Sequence, residues 1–225
     1  MRLGEPASLD ARCRGVFQYM SEFALFARPW PVNLFLLAPF ATYYLWRREG
    51  LTLTRAALVA TCFFGMAFGF VEAAVVVYLR AAVGLLPGYG GSLADIAVLS
   101  ADMFQQAQIL DELPRSLGAV ELVREAATMI MLVSVALLAV KTMRERCAIF
   151  LWTFAIWDIS YYLGLWATVR WPPSLLTADV LFLIPVPWFA QVWFPILVSA
   201  LFMGAILLAR RVDRNHINSE IIVHE

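Results

Sequence analysis

Long apolar runs separated by charged clusters are the dominant pattern along this chain. A helix needs about 20 apolar residues to cross a hydrocarbon core of about 30 Å, and several runs approach or exceed that length. They cover residues 30–46, 56–79, 118–140, 147–169 and 190–209. The pattern therefore predicts an all-α fold, a polytopic transmembrane helical bundle of about five spans that occupies residues 30–209.

The last apolar region is too long for a single span. Residues 174–209 would form a helix of about 54 Å at 1.5 Å per residue, and prolines at 185, 187 and 195 interrupt it. Proline removes a backbone donor and clashes with the preceding turn. We therefore predict a re-entrant segment over residues 174–189. Irregular backbone at membrane depth is tolerated only beside protein or a water-filled cavity, so residues 184–188 are expected to line one.

Three flanking regions have weaker patterns. Residues 1–29 form an N-terminal tail in which an apolar stripe predicts a helix lying in the membrane interface. The outer loop, residues 80–117, has apolar residues at helical spacing from 92 to 113, which predicts an amphipathic helix on the outer surface of the bundle. Residues 210–225 form a polar tail.

The basic residues indicate which ends of the spans face the cytoplasm. They cluster as Arg47, Arg48 and Arg55, as Lys141, Arg144 and Arg146, and as Arg210, Arg211 and Arg214. The positive-inside rule places these clusters and the C-terminus of this multi-pass protein in the cytoplasm. The arginines of the N-terminal tail conflict with an outside N-terminus. If that tail is cytoplasmic, residues 30–46 would be a hairpin broken near Pro39.

Composition excludes several functional classes. With 62% hydrophobic and 15% charged residues, the chain cannot fold as a soluble globule with a polar surface. No basic patch suggests nucleic acid as a partner. The only histidines, His216 and His224, lie in the C-terminal tail, so bis-histidine haem ligation and a HExxH zinc protease are excluded. The expected partners are the lipid bilayer and a second copy or another membrane protein.

Two spans contain the same tripeptide, Glu72-Ala73-Ala74 and Glu125-Ala126-Ala127. A charged side chain near the bilayer centre costs roughly 3 kcal/mol on insertion scales, and such residues usually face a bundle interior with a partner. Counted along their helices at 1.5 Å per residue, both glutamates lie about 10 Å below the outer surface. We therefore expect Glu72 and Glu125 to mark a functional site.

Other polar residues fall at the same outer level. The acids are Glu72, Glu121, Glu125, Asp158 and Asp179, the nearby arginines are Arg80, Arg124 and Arg170, and the auxiliary tyrosines are Tyr161 and Tyr162. The acids outnumber the arginines, so some carboxylates must be protonated, bind a cation or contact water. Arg124 also has a structural interpretation, as a counterion for Glu121 or Glu72.

Three functional hypotheses follow from this set. In the first, the five carboxylates bind or conduct a cation, either a proton or a divalent metal ion on oxygen ligands. In the second, the same acids hold a metal that activates water in a membrane enzyme. In the third, the protein is a scaffold or assembly subunit without a site, and small residues such as Gly65, Gly69 and Ala73 serve helix contacts.

Four segments also carry a resemblance. They are Phe70-Val71-Glu72-Ala73-Ala74, Arg124-Glu125-Ala126-Ala127-Thr128, Trp157-Asp158-Ile159-Ser160-Tyr161-Tyr162, and the run from Trp171-Pro172-Pro173 to Pro185-Val186-Pro187-Trp188. Together they resemble a family of small bacterial multi-span membrane proteins without an established activity. The resemblance covers roughly residues 55–195, implies a bacterial inner membrane, and supplies no mechanism.

Overall fold

The chain folds into long helices and one short hairpin. The computed structural model describes residues 26–82, 92 and 115–223. Its elements are a 3-10 helix Trp30–Leu36, α1 Ala38–Trp46, α2 Arg55–Ala82, α3 Arg115–Ala139, α4 Met143–Val169, strands β1 Ala178–Phe182 and β2 Trp188–Gln191, and α5 Trp193–Val223. The helices predicted within residues 15–28 and 92–113 lie outside the described residues, apart from isolated positions.

Four of these helices are long and apolar enough to cross a membrane. The qualifying segments are Arg55–Leu79, Gly118–Ala139, Met143–Val169 and Trp193–Arg210. The predicted helical membrane bundle is therefore confirmed at this level. The remaining predicted span, residues 30–46, forms two short helices that meet at Leu37, two residues before Pro39. Proline is accommodated in the first turn of a helix because its missing N–H would have no partner there.

Helix α4 is the central element of the bundle. It buries 61% of its apolar segment, against 17% for α3, and its most extensive contacts are with α2. Glycine permits the close approach of these two helices: a Cβ built on Gly69 would lie 2.5 Å from the carbonyl oxygen of Trp157. One built on Gly164 would lie 2.9 Å from the Cβ of Ala73. The small residues therefore serve contacts within the chain.

One end of the bundle collects the basic residues. Arg144 forms an ion pair with Glu49, and Arg210 Nε donates to the carbonyl oxygen of Leu53 at 2.8 Å. Beneath them, Trp152 Nε1 donates to the carbonyl oxygen of Leu58 at 3.1 Å. Basic residues from two separate regions, Arg144 and Arg210, thus contact the segment of residues 49–53 at one end of a packed apolar core.

The mostly helical fold departs from the all-α prediction at residues 178–191. Here β1 and β2 pair antiparallel, with Ala178 opposite Gln191 and Val180 opposite Phe189. The backbone of Arg28 extends this pairing, since its N–H donates to the Phe189 oxygen at 2.7 Å and its oxygen accepts from the Phe189 N–H at 2.8 Å. The tip, residues 183–187, contains two prolines, which cannot donate to a ladder and so suit a turn. Residues 178–191 therefore satisfy backbone hydrogen-bonding groups by pairing as a hairpin.

Candidate functional site

The candidate residues from α2, α3, α4 and β1 line a single cavity of about 680 Å³. Every site residue predicted from the sequence is among its lining residues: Glu72, Glu121, Arg124, Glu125, Asp158, Tyr161, Tyr162 and Asp179. The carboxylates are all buried, with exposures between 3% and 9%. We call these eight side chains the polar wall. The structure thus brings together residues that lie up to 107 positions apart in the sequence (179 minus 72).

Arg124 forms ion pairs with two of the acids on the polar wall. Its Nε lies 2.7 Å from Glu121 Oε2, one helical turn earlier in α3, and its Nη1 forms an ion pair with Glu72 of α2. Thr128, one turn later, places its hydroxyl 3.4 Å from Glu72 Oε2 and donates to the Arg124 carbonyl oxygen at 3.1 Å. Arg124 is therefore a counterion of both Glu121 and Glu72, and its ion pair with Glu72 links α2 to α3.

Glu125 binds backbone instead of a basic side chain. Its Oε2 accepts from the Leu183 N–H at 2.9 Å, and its Oε1 accepts from the Ile184 N–H at 3.1 Å. These amides lie where β1 ends and the hairpin tip begins. A carboxylate that accepts two amide hydrogen bonds makes charge-assisted bonds that are stronger than neutral ones. Glu125 thereby attaches the hairpin tip to α3.

The two aspartates of the polar wall have hydroxyl partners. Asp158 Oδ2 accepts from Ser199 Oγ of α5 at 2.8 Å, and Asp179 Oδ2 accepts from the Tyr162 hydroxyl at 2.9 Å. Both acids carry further acceptor sites, because an ionised carboxylate offers about four. The neighbouring Tyr161 ring meets Tyr162 edge-on with centroids 5.1 Å apart, and it lies within electrostatic reach of Arg124. Tyr162 therefore contacts both Asp179 and the ring of Tyr161.

Apolar and aromatic side chains form the rest of the cavity. Trp157 and Phe154 of α4 contact Phe182 of β1, with ring centroids 6.5 and 6.2 Å away, and Trp188 of β2 lies 5.6 Å from Phe182. Of residues 184–188, which were expected to line a cavity, Ile184 and Trp188 do so. Trp157 is 8% exposed, and its indole N–H is a buried donor with no hydrogen-bond partner among the described residues. We call this surface the aromatic wall.

Sequence reasoning missed four contributors to the site. Thr128 follows Glu121 and Glu125 at positions i+7 and i+3, so helical spacing could have placed it on their face. Ser199 and the amides of residues 183–184 gave no comparable signal, because they meet Asp158 and Glu125 only through the fold. For Trp157, the sequence shows only that it adjoins Asp158 and gives no sign that its indole lines the cavity. Helical spacing identifies a face but not its partner.

The carboxylates do not form a compact ligand set. Among the described residues, no group of three or more His, Cys, Asp or Glu side chains is placed to hold a metal ion. Each acid of the polar wall instead has a hydrogen-bonding or ionic partner, and Glu72 and Glu121 share Arg124. The site therefore distributes negative charge along one side of the cavity.

No known protein family, curated protein or solved structure matches this chain. The resemblance to a bacterial membrane family stays a prediction, and the function must be argued from the cavity itself.

Proposed function

We propose that this protein binds an amphiphilic molecule inside its transmembrane bundle, with the polar head at the polar wall and the apolar chain along the aromatic wall. The single observation that supports this proposal is the two-sided lining of one cavity. Small-molecule sites are typically concave, mostly apolar and equipped with a few converging polar groups. Their usual volume is roughly 300–1,000 Å³, and the 680 Å³ of this cavity lies within that range.

The charge balance favours a cation as a second candidate. Among the described lining residues, five carboxylates face one arginine, and uncompensated acids in a low-dielectric site either bind protons or attract cations. A proton or a monovalent cation fits this arrangement better than a divalent metal, because no three acids among the described residues converge to hold an ion, and a divalent ion in a protein site is held by several oxygen ligands at once. The metal-dependent enzyme has less support for the same reason.

The proposal also includes the number of membrane spans and the side on which the C-terminus lies. We infer five spans, with residues 30–46 as the first, and a cytoplasmic C-terminus in a cell inner membrane. The support is the meeting of Arg144 and Arg210 at one end of the bundle, together with the positive-inside rule. Cysteine labelling at positions 49 and 186 from either side of the membrane tests it. Labelling of both positions from the same side would contradict the proposal.

Two adjacent alanines provide a matched test of amphiphile binding. Ala126 lines the cavity, whereas Ala127 is exposed on the outside of α3. We expect the wild type and Ala127→Trp to retain one bound amphiphile per protein molecule through purification. Native mass spectrometry detects it. Ala126→Trp should lose it because the indole fills the cavity. Equal occupancy in both variants, or no bound amphiphile in the wild type, would overturn the proposal.

The cation candidate has its own measurement. Reconstituted protein should carry a proton or monovalent-cation flux that Asp158→Asn reduces, because this carboxylate lies deep in α4 beside the cavity. Glu145→Gln, at the opposite end of the same helix, is the control and should leave the flux unchanged. Absence of flux in the wild type would leave amphiphile binding as the sole proposal.

A further inference from the structure

The cavity holds many acceptors and one conspicuous donor. Carboxylate oxygens line the polar wall, and Arg124, the Leu183 and Ile184 amides, and the Ser199 hydroxyl already donate to them. The indole N–H of Trp157 is different, because among the described residues it is buried with neither a hydrogen-bond acceptor nor an ion-pair partner, whereas Arg124 Nη1 is paired with Glu72. A buried polar group without a hydrogen bond is costly. A ligand that supplies an acceptor at Trp157 would remove this cost.

The charge of the polar wall limits the headgroup. Among the described lining residues, an anionic headgroup such as a phosphate would face five carboxylates and a single arginine, which is already engaged by Glu72 and Glu121. A quaternary ammonium can neither donate nor accept a hydrogen bond. A primary ammonium could donate to the carboxylates, but it has no lone pair for the Trp157 N–H. None of these headgroups satisfies both kinds of group.

A hydroxyl satisfies both, since it donates one hydrogen bond and accepts others. Trp157 of the aromatic wall and Asp158 of the polar wall are consecutive residues of α4 and both line the cavity, so the two walls adjoin there. Asp158 accepts from Ser199 through Oδ2 and has further acceptor sites. We infer that the ligand is an uncharged lipid with a hydroxyl-bearing head, which accepts from Trp157 and donates to the carboxylates. This inference rests on the proposed binding of an amphiphile.

A set of probes with one chain and different heads separates the two proposals. Monooleoylglycerol, oleylamine and oleoyl lysophosphatidic acid are titrated into the full-length protein in detergent, and the bound fraction is measured by native mass spectrometry. We expect monooleoylglycerol to bind at least about tenfold more tightly than the other two, the factor that one hydrogen bond typically supplies. If no probe binds, the proposed function fails. If oleylamine or the phosphate binds best, only the hydroxyl inference fails.

Two tryptophan substitutions locate the contact. Trp157→Phe keeps the ring packing against Phe154 and Phe182 but removes the N–H, so the affinity for monooleoylglycerol should fall about tenfold while that for oleylamine should not change. Trp166→Phe is the control, because Trp166 lies on the same helix and is 52% exposed. An unchanged affinity for monooleoylglycerol in Trp157→Phe would overturn the inference. The head preference of the wild type tests it independently of how the variants fold.

Discussion

The two Glu-Ala-Ala tripeptides are identical in sequence and differ in structural role. Glu72 in α2 forms an ion pair with Arg124, whereas Glu125 in α3 accepts from two backbone amides of the hairpin. Both carboxylates line the cavity. One therefore connects two helices through a side-chain pair, and the other holds an irregular segment in place. Identical residue types at equal depth acquired different partners because the elements opposite them differ.

The alanines of the two tripeptides differ as well. Ala73 is completely buried against α4, while Ala126 lines the cavity and Ala127 is exposed. The first tripeptide thus belongs to the tightest helix contact of the bundle, and the second lies at the boundary between cavity and surroundings. At this level α2 therefore packs closely against α4, whereas α3 has one face on the cavity and the other exposed.

The largest effect is expected from enlarging the packed alanine. In Ala73→Leu the new side chain would collide with α4 where Gly164 has no Cβ, so the helices must separate. Overpacking a core typically costs 1–3 kcal/mol, and we expect about 3 kcal/mol of unfolding free energy here because backbone must move. Chemical unfolding in detergent measures it. The control is Ala127→Leu, which should change stability by less than about 0.5 kcal/mol; equal losses would contradict the comparison.

A somewhat smaller effect is expected from removing the arginine. Arg124→Gln leaves Glu72 and Glu121 close together without their counterion. Breaking a fully buried ion pair costs about 3–5 kcal/mol, and we expect about 2 kcal/mol because the Arg124 side chain is 26% exposed. The additional substitution Glu72→Gln should restore about 1 kcal/mol, since it removes one of the two stranded charges. If the losses of unfolding free energy from Arg124→Gln and Glu72→Gln are strictly additive in the double variant, the ion pair contributes nothing to stability.

Much of this arrangement could be predicted from the sequence, because it follows from periodicity and depth. Apolar run length identified the four long helices, and the level of each acid along its helix placed Glu72, Glu125 and Asp158 at one cavity. The partners could not be predicted in the same way. Whether Arg124 binds Glu72 depends on how α2 and α3 rotate about their axes, and the short segment opposite Glu125 has no periodicity of its own. Its paired strands form because the bundle and the Arg28 backbone surround them.

The smallest stability change is expected from substituting Glu125, and this substitution also affects the hairpin tip locally. Glu125→Gln keeps one carbonyl oxygen and replaces the other by an NH₂ group, so one of the two amides at residues 183 and 184 loses its acceptor. We expect a loss of about 1 kcal/mol and faster hydrogen exchange at Leu183 and Ile184, measured by mass spectrometry. Glu72→Gln is the matched control, since it changes the same residue type at the same cavity and leaves both amides bonded. Exchange that rises equally in both variants would mean that the hairpin tip responds to charge in the cavity as a whole instead of to its own acceptor.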